Sequence, residues 1–252
     1  MVENFFPISV DGFFRNPDKI VNYAKSLPKK YNSKGEWPGV RFEPLWEIAL
    51  ELNTAITAKI LACYGLLGQN VTWRRSTLYF QEIHQFSDNK NDVRNRGWIH
   101  KDGDSESDYE LAGLIYLNPN IDPDSGTSLF NRKENAEEKI EETAREYKKL
   151  LYTSKNNVRD LTEDERIKCK EIYEECEKFY IEKTRFQNIF NRMIAYDPCE
   201  FHRANNFYHG GGQNENRLTL VFFLGGFDMT REYPLKLIRD EEEEKKINNR
   251  LV

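Results

Sequence analysis

Trp98-Ile99-His100-Lys101-Asp102 stands between two runs of strand texture, and the reading of the chain turns on it. Before it lies VTWRRSTLYFQEI (71–83), rich in β-branched and aromatic residues in loose alternation. After it comes LAGLIYLNP (111–119), a nearly continuous apolar run stopped by Asn118-Pro119. Both predict strands. Residues two apart on an extended chain point to one side, so His100 and Asp102 can reach a common metal from one strand end. An HxD pair alone carries little weight, because a polar surface turn produces it just as well.

The downstream sequence adds the missing partners. Only four histidines occur: His84, His100, His202 and His209. His202 follows an apolar strand and turn, NRMIAYDPCEFH, a setting from which an imidazole can meet the first pair across a barrel. His209 competes for that role at the edge of a Gly-Gly-Gly-Gln loop, where a ligand is held less firmly. Two imidazoles and one carboxylate are the set that leaves one face of an iron(II) ion open. Arg217 opens NRLTLVFF, and Arg217, Thr219 and Val221 share a face if this run is a strand. Turned inward, such a cation requires an anion, since an unpaired buried charge is costly, and a dicarboxylate would satisfy it.

Around this core, Asn16-Pro17 opens a helix through about Leu27, and Glu43 to Cys63 predicts a second, with Leu45, Ile48, Leu52, Ile56, Ile60 and Leu61 recurring every three or four residues. IDPDSGTSLF predicts a turn and short strand. Residues 131–185 are dense in Glu and Lys, with a helix start at Asp160-Leu161-Thr162-Glu163, and predict about two long, solvated helices inserted between strands. The tail beyond Arg239 is a charge run expected to form a frayed helix. Strands, an insertion, then more strands predict an α+β chain with an antiparallel double-sheet barrel. We expect one domain over 1–252: helical support (1–70), a jelly-roll core (71–130 and 186–228), the helical insertion (131–185) and the charged tail (229–252).

Composition limits the alternatives. Hydrophobic residues make up 38% and charged residues 31% of 252, so aromatic side chains must carry much of the burial. A net charge of -5 argues against general nucleic-acid or anionic-membrane binding and favours a soluble cytoplasmic protein. The opening MVENFFPISVDGFF does not read as a signal peptide, and no apolar run approaches the ~20 residues of a membrane span. Cys63, Cys169, Cys176 and Cys199 form no CxxC pair and read as free thiols.

In order, WIHKD, AGLIYLNP, SGTSLF, NRMIAYDPCEFH and NRLTLVFF resemble the 2-oxoglutarate- and iron(II)-dependent oxygenases. They are most similar to the prolyl-hydroxylase-like branch with its small microbial and phage relatives. The likeness covers roughly residues 71–228. It implies a double-stranded β-helix with N-terminal helices on one face, iron held by His100, Asp102 and His202, and 2-oxoglutarate paired with Arg217. It further implies Tyr116 and Tyr79 in the co-substrate pocket, lined by Thr127 and Thr219. Dioxygen is the implied oxidant, with ascorbate as an optional reductant. The implied activity is hydroxylation of an aliphatic C–H on a protein or peptide residue such as proline, or on a free amino acid or other small molecule. A non-catalytic jelly-roll binding protein, or an interaction protein working through the charged insertion, stands as the alternative from another class. The fifteen residues from His202 to Arg217 exceed the more usual interval of about ten, because HGGGQNEN enlarges the connecting loop.

Overall fold

A computed structural model describes residues 4–31, 37–66, 71–103, 109–133, 142–146, 148, 161–208, 216–228 and 236–237. His209, the glycine-rich loop and the charged tail beyond Arg239 lie outside them.

Among the described residues the chain is a mixture of helices and antiparallel sheets. The strands are β1 (Asn4–Phe5), β2 (Ile8–Val10), β3 (Lys29–Tyr31), β4 (Val40–Phe42), β5 (Thr72–Ile83), β6 (Leu111–Tyr116), β7 (Thr127–Arg132), β8 (Tyr180–Phe186), β9 (Met193–Tyr196), β10 (Phe201–Ala204), β11 (Arg217–Asp228) and β12 (Lys236–Leu237). Seven of them form one sheet in the order β2-β9-β6-β11-β5-β4-β3. A three-stranded sheet has the order β10-β7-β8, and β1 pairs with β12.

The apolar run of β6 is explained by its place. All six of its residues are buried because both faces of the large sheet are covered. Leu111 and Ile115 face a core shared with the N-terminal helices, together with Leu78, Phe80, Leu220 and Phe222. Ala112, Leu114 and Tyr116 face the opposite way, toward Leu129 and Phe186 of the small sheet. At Gly113 the strands approach so closely that a β-carbon would run into the backbone of Ile194 and the ring of Phe222.

Helices α1 (Pro17–Ser26), α2 (Leu45–Ile48) and α3 (Leu50–Cys63) cover the first of these faces. The single helix expected from Glu43 to Cys63 is broken at Ala49, whose φ of -154° leaves the helical region. Leu45, Ile56, Ile60 and Leu61 are buried as their spacing requires, whereas Ile48 at the break is exposed. α3 is also bonded to the sheet. Asn53 Nδ2 donates to Ser76 Oγ at 2.8 Å, and the Thr57 and Ser76 hydroxyls lie 2.6 Å apart. Buried polar groups that satisfy one another in this way fix the helix in register.

The insertion differs from its expected form. Residues 131–132 still belong to β7, and β8 occupies 180–186 as its antiparallel partner, within the stretch read as helical. The helix start is where the sequence places it: α4 (Glu163–Glu177) opens on Thr162 with a reciprocal capping box to Glu165. Yet α4 is not a solvated decoration. Cys169, Tyr173 and Cys176 are buried, and Cys169 and Tyr173 pack with Phe86, Trp98 and Phe207, with Ala144 against the same cluster. A helix charged on most faces still docks when one stripe is apolar. Among the described residues no helix is long and apolar enough to cross a membrane.

Candidate metal centre

Two main-chain contacts build the site. His100, at the end of the loop after β5, makes an isolated antiparallel bridge with His202 on β10. Two residues on, the Asp102 N–H donates to the Pro198 carbonyl at 3.0 Å. Pro198 itself sits in a turn closed by Glu200 N–H to Asp197 O at 2.9 Å and by Cys199 N–H to the Asp197 carboxylate at 2.7 Å. The local sequence Asp-Pro-Cys-Glu is thus a turn with an aspartate brace, and it presents β10 to the HxD segment.

The side chains then converge. His202 Nε2 lies 3.1 Å from Asp102 Oδ2, and His100 Nε2 lies 3.5 Å from Asp102 Oδ1. One ligand atom from each of the three falls within 4.8 Å of the others. Each imidazole uses its other nitrogen on the backbone: His100 Nδ1 is 2.7 Å from Trp98 O, and His202 Nδ1 is 2.9 Å from Glu200 O. A carbonyl only accepts, so both Nδ1 atoms carry a proton and it is the Nε2 atoms that face the centre. That is the tautomer a metal ligand needs, fixed from behind. The Tyr196 ring backs His202 at 4.7 Å between centroids.

The electrostatics agree with a cation-seeking cluster. Burial pushes the His100 imidazolium down to about 4, aided by the Lys148 and His202 charges. Burial also opposes charge on His202, but the Asp102 carboxylate outweighs it and leaves that imidazole above its ordinary value. Burial raises Asp102, yet the two imidazoles facing it hold its carboxyl well below the usual range.

A second group lies on the face of the large sheet that packs toward the small sheet. Register places Tyr116 opposite Thr219, with Arg217 two residues away from Thr219 on the same face. The Arg217 guanidinium carbon is 5.6 Å from the Tyr116 ring centroid. Tyr116 donates to Thr127 Oγ1 at 2.9 Å, bridging to β7 of the small sheet, the strand whose Leu129 pairs with His202. Arg217 is 2% exposed, and among the described residues its Nε and Nη2, and Thr219 Oγ1, have no hydrogen-bond partner. Burial pulls the guanidinium below its ordinary value, partly offset by Tyr116 and Tyr196. A buried, partly unsatisfied cation of this kind is a site for an anion.

The structure therefore brings His100, Asp102 and His202 into one cluster and Arg217, Thr219, Tyr116 and Thr127 into another. Tyr79 lies on the same face of the large sheet, opposite Val221, but its ring packs against Arg41 and Phe223. His84 stands apart, in the neighbourhood of Glu82, Lys29 and Asn216. Sequence reasoning missed Arg41, Lys148 and Tyr196. The first is in a three-residue strand and the second in a charge-dense stretch, so neither carries a local signal. Tyr196 lay within a recognised strand, and its parity with Ile194 was the available cue.

Among curated proteins none matches this sequence. Solved structures similar to it include an oxidoreductase of the 2OG-Fe(II) oxygenase family from Burkholderia pseudomallei, at 13% identity and a TM-score of 0.43, covering 87% of this chain and 84% of that one. A Trichoplax adhaerens prolyl hydroxylase in complex with a hypoxia inducible factor peptide fragment is 13% identical over 87% of this chain and 83% of its own, with a TM-score of 0.47. A Pseudomonas putida prolyl-4-hydroxylase is 10% identical over 88% and 92%, with a TM-score of 0.46. A family model matches residues 6–224. By that match the chain belongs to the family described as "Family of unknown function (DUF6445)".

Proposed function

We propose that this protein is an iron(II)- and 2-oxoglutarate-dependent dioxygenase that hydroxylates an aliphatic C–H bond, with a protein or peptide residue such as proline as the substrate implied by its motifs. In this reading the two facing sheets are a double-stranded β-helix of the prolyl-hydroxylase-like kind. The observation that carries it is the convergence of two oriented Nε2 atoms on one carboxylate. His100, Asp102 and His202 would hold the iron. A zinc hydrolase uses the same ligand types, and Arg217 favours the oxygenase: its unsatisfied buried donors suit the distal carboxylate of 2-oxoglutarate.

Bound together, iron(II) and 2-oxoglutarate reduce dioxygen so that one oxygen atom enters the substrate C–H while 2-oxoglutarate leaves as succinate and carbon dioxide. The chain's own contribution is placement. Trp98 O and Glu200 O keep the imidazole protons away from the centre. Asp102 supplies a negative charge that lowers the cost of holding a cation there. Arg217 with Thr219 fixes one end of the co-substrate, and Tyr116, whose hydroxyl now donates to Thr127, can turn its proton to the same carboxylate. Leu114, Ile194, Val221 and Phe223 line the interior between these groups and exclude water.

The test is anaerobic addition of iron(II) and 2-oxoglutarate, followed by visible charge-transfer absorption, and then succinate release on admitting air. Wild-type protein should show both, and His100→Ala or Asp102→Ala neither. Absence of the absorption in wild-type protein, or unchanged succinate release in either variant, would overturn the assignment.

A further inference from the structure

Arg217 is the first residue of β11, so no earlier residue of that strand holds it in place. On one side it pairs with Ile83 of β5. On the other, regular pairing with β6 starts only at Thr219, opposite Tyr116. Carrying that register on sets Leu117 opposite Leu218, Asn118 opposite Arg217 and Pro119 opposite Asn216. The Leu117 N–H still donates to Leu218 O at 3.1 Å. Pro119 has no N–H, so the ladder bond that Asn216 O would next receive is missing. A strand end held along one edge alone is where local opening starts.

The Asn118 side chain supplies what the ladder lacks. Its Nδ2 donates to Asn216 O at 2.8 Å, and its Oδ1 accepts from the Leu218 N–H at 2.6 Å. An amide presents a donor and an acceptor side by side, the same pair a peptide group presents. One side chain thus holds the peptide groups on both sides of Arg217. Asn118 is buried, so water competes little for these bonds. Asn216 is braced in turn: its own Nδ2 donates to the Glu82 carboxylate, which also takes Lys29 Nζ at 2.9 Å. Arg217 Nε and Nη2 have no partner among the described residues, so the aim of the guanidinium fork depends on the backbone that carries it.

We propose that Asn118 is a positioning residue of the co-substrate pocket: by clamping the peptide groups on either side of Arg217, it sets the guanidinium where the distal carboxylate of 2-oxoglutarate is received. The inference rests on the oxygenase reading above. Asn118 acts through Arg217 and not on the metal, so its effect is confined to ligands that carry the distal carboxylate. A two-toothed grip on a carboxylate is sensitive to small displacements of the fork. 2-Oxopentanoate has the same 2-keto acid but ends in a methyl group, and it therefore reports the metal end of the pocket alone.

The iron(II)-loaded protein is titrated without oxygen with 2-oxoglutarate and with 2-oxopentanoate, and binding is followed by visible charge-transfer absorption. Asn118→Ala should weaken 2-oxoglutarate roughly 10- to 100-fold, the scale on which a slightly misplaced group loses its contacts. It should leave 2-oxopentanoate and iron(II) within about twofold of wild type, as expected of sites it does not touch. Added to Arg217→Gln it should cost nothing further for 2-oxoglutarate, because residues that act through one group are not additive. Asn118→Asp keeps the acceptor for the Leu218 N–H and sets an oxygen against Asn216 O, so it should show the same selective loss should Asn118→Ala fail to fold. Asn53→Ala removes a buried amide bonded to Ser76, which lies opposite Leu224 further along β11. It should lower the melting temperature without changing 2-oxoglutarate affinity. Equal weakening of both keto acids, unchanged 2-oxoglutarate affinity, or an additive loss in the double variant overturns the proposal. Absence of absorption with 2-oxoglutarate in wild-type protein overturns the oxygenase reading, and the proposal with it.

Discussion

His100 and His202 exchange both of their backbone hydrogen bonds, His100 N–H to His202 O at 3.0 Å and His202 N–H to His100 O at 2.9 Å. This one bridge sets two distant residues in register and brings their rings to 4.4 Å between centroids. Main-chain bonds, not the side chains themselves, thus define where the two imidazoles stand. If the cluster holds a metal as proposed, replacing one of its side chains should abolish metal binding without unfolding the chain.

His202→Ala and Asp102→Ala should each weaken cobalt(II) or manganese(II) binding by on the order of 100-fold or more, since even residues behind the ligands cost 10–100-fold elsewhere. Their far-ultraviolet circular dichroism should remain that of the wild type. Metal titration with circular dichroism checks both statements. Stoichiometric, tight binding in either variant would remove the residue from the ligand set.

Arg217 is not part of the His100–Asp102–His202 cluster, so under the proposed function its replacement should affect the co-substrate alone. A charge-assisted bond contributes about 1.5–3 kcal/mol, so Arg217→Gln should weaken 2-oxoglutarate binding roughly 10- to 150-fold. Metal affinity should stay close to wild type. Binding of 2-oxoglutarate to the manganese-loaded protein, measured by calorimetry, decides it.

The ion pair at the centre gives the metal-free protein a defined pH response. His202 has a folded value above the ordinary 6.5, so the folded chain binds more protons than the unfolded one just above that pH. Its stabilisation is complete below 6.5 and is lost as pH rises through the folded value. His100, held near 4, works in the opposite sense: it stabilises increasingly as pH rises from about 4 to 6.5. Asp102, held low, adds stability above its ordinary 3.8 that disappears in acid. The contribution of these three groups should therefore be greatest near pH 6.5 without metal. A bound metal must displace the His202 proton, so metal affinity should climb over the same range in which that contribution falls. Melting curves across pH, with and without manganese(II), should show the two opposite slopes, and parallel slopes would contradict the Asp102–His202 pairing.

Much of the site was legible because its signals are local. HxD needs only the period of an extended strand, and Arg217-Thr219 follows from the same rule once NRLTLVFF is read as a strand. The capping box at Thr162 and the β6 strand are likewise written in adjacent residues. What sequence could not supply was long-range pairing. β4 is three residues long, and only its pairing with β5 puts Arg41 opposite Gln81, on the face that carries Thr219 and Tyr116. β8 was hidden because Tyr180–Phe186 is polar on its solvent side and borders a charged helix, so its composition resembles the helix more than a strand. Ala49 breaks a periodicity that otherwise runs unbroken from Leu45 to Leu61, which no propensity anticipates.

Helix α4 ties together the two segments that carry the histidines, and this makes a prediction far from the metal. Arg203, next to His202, bonds through Nη1 to the Glu177 carboxylate and lies 2.5 Å from the Tyr173 hydroxyl. That hydroxyl donates to Gly97 O at 3.1 Å, and the Trp98 ring meets Tyr173 edge-on at 5.1 Å. Gly97 N–H closes the circuit on Ala204 O at 2.8 Å. Tyr173→Phe keeps the ring and removes only the hydroxyl, leaving the Gly97 carbonyl and an Arg203 donor short of a partner. The cost should be about 1–3 kcal/mol, or a melting-temperature drop of roughly 2–12 °C for a chain of this size. Because the strut spans both ligand segments, metal affinity should fall about tenfold as well, the lower end of what groups behind ligands contribute. Glu171→Gln, on the exposed face of the same helix, should change neither. If Tyr173→Phe lowers the melting temperature but leaves metal affinity untouched, α4 supports the fold alone, and the positions of His100 and His202 are set by their shared bridge without it.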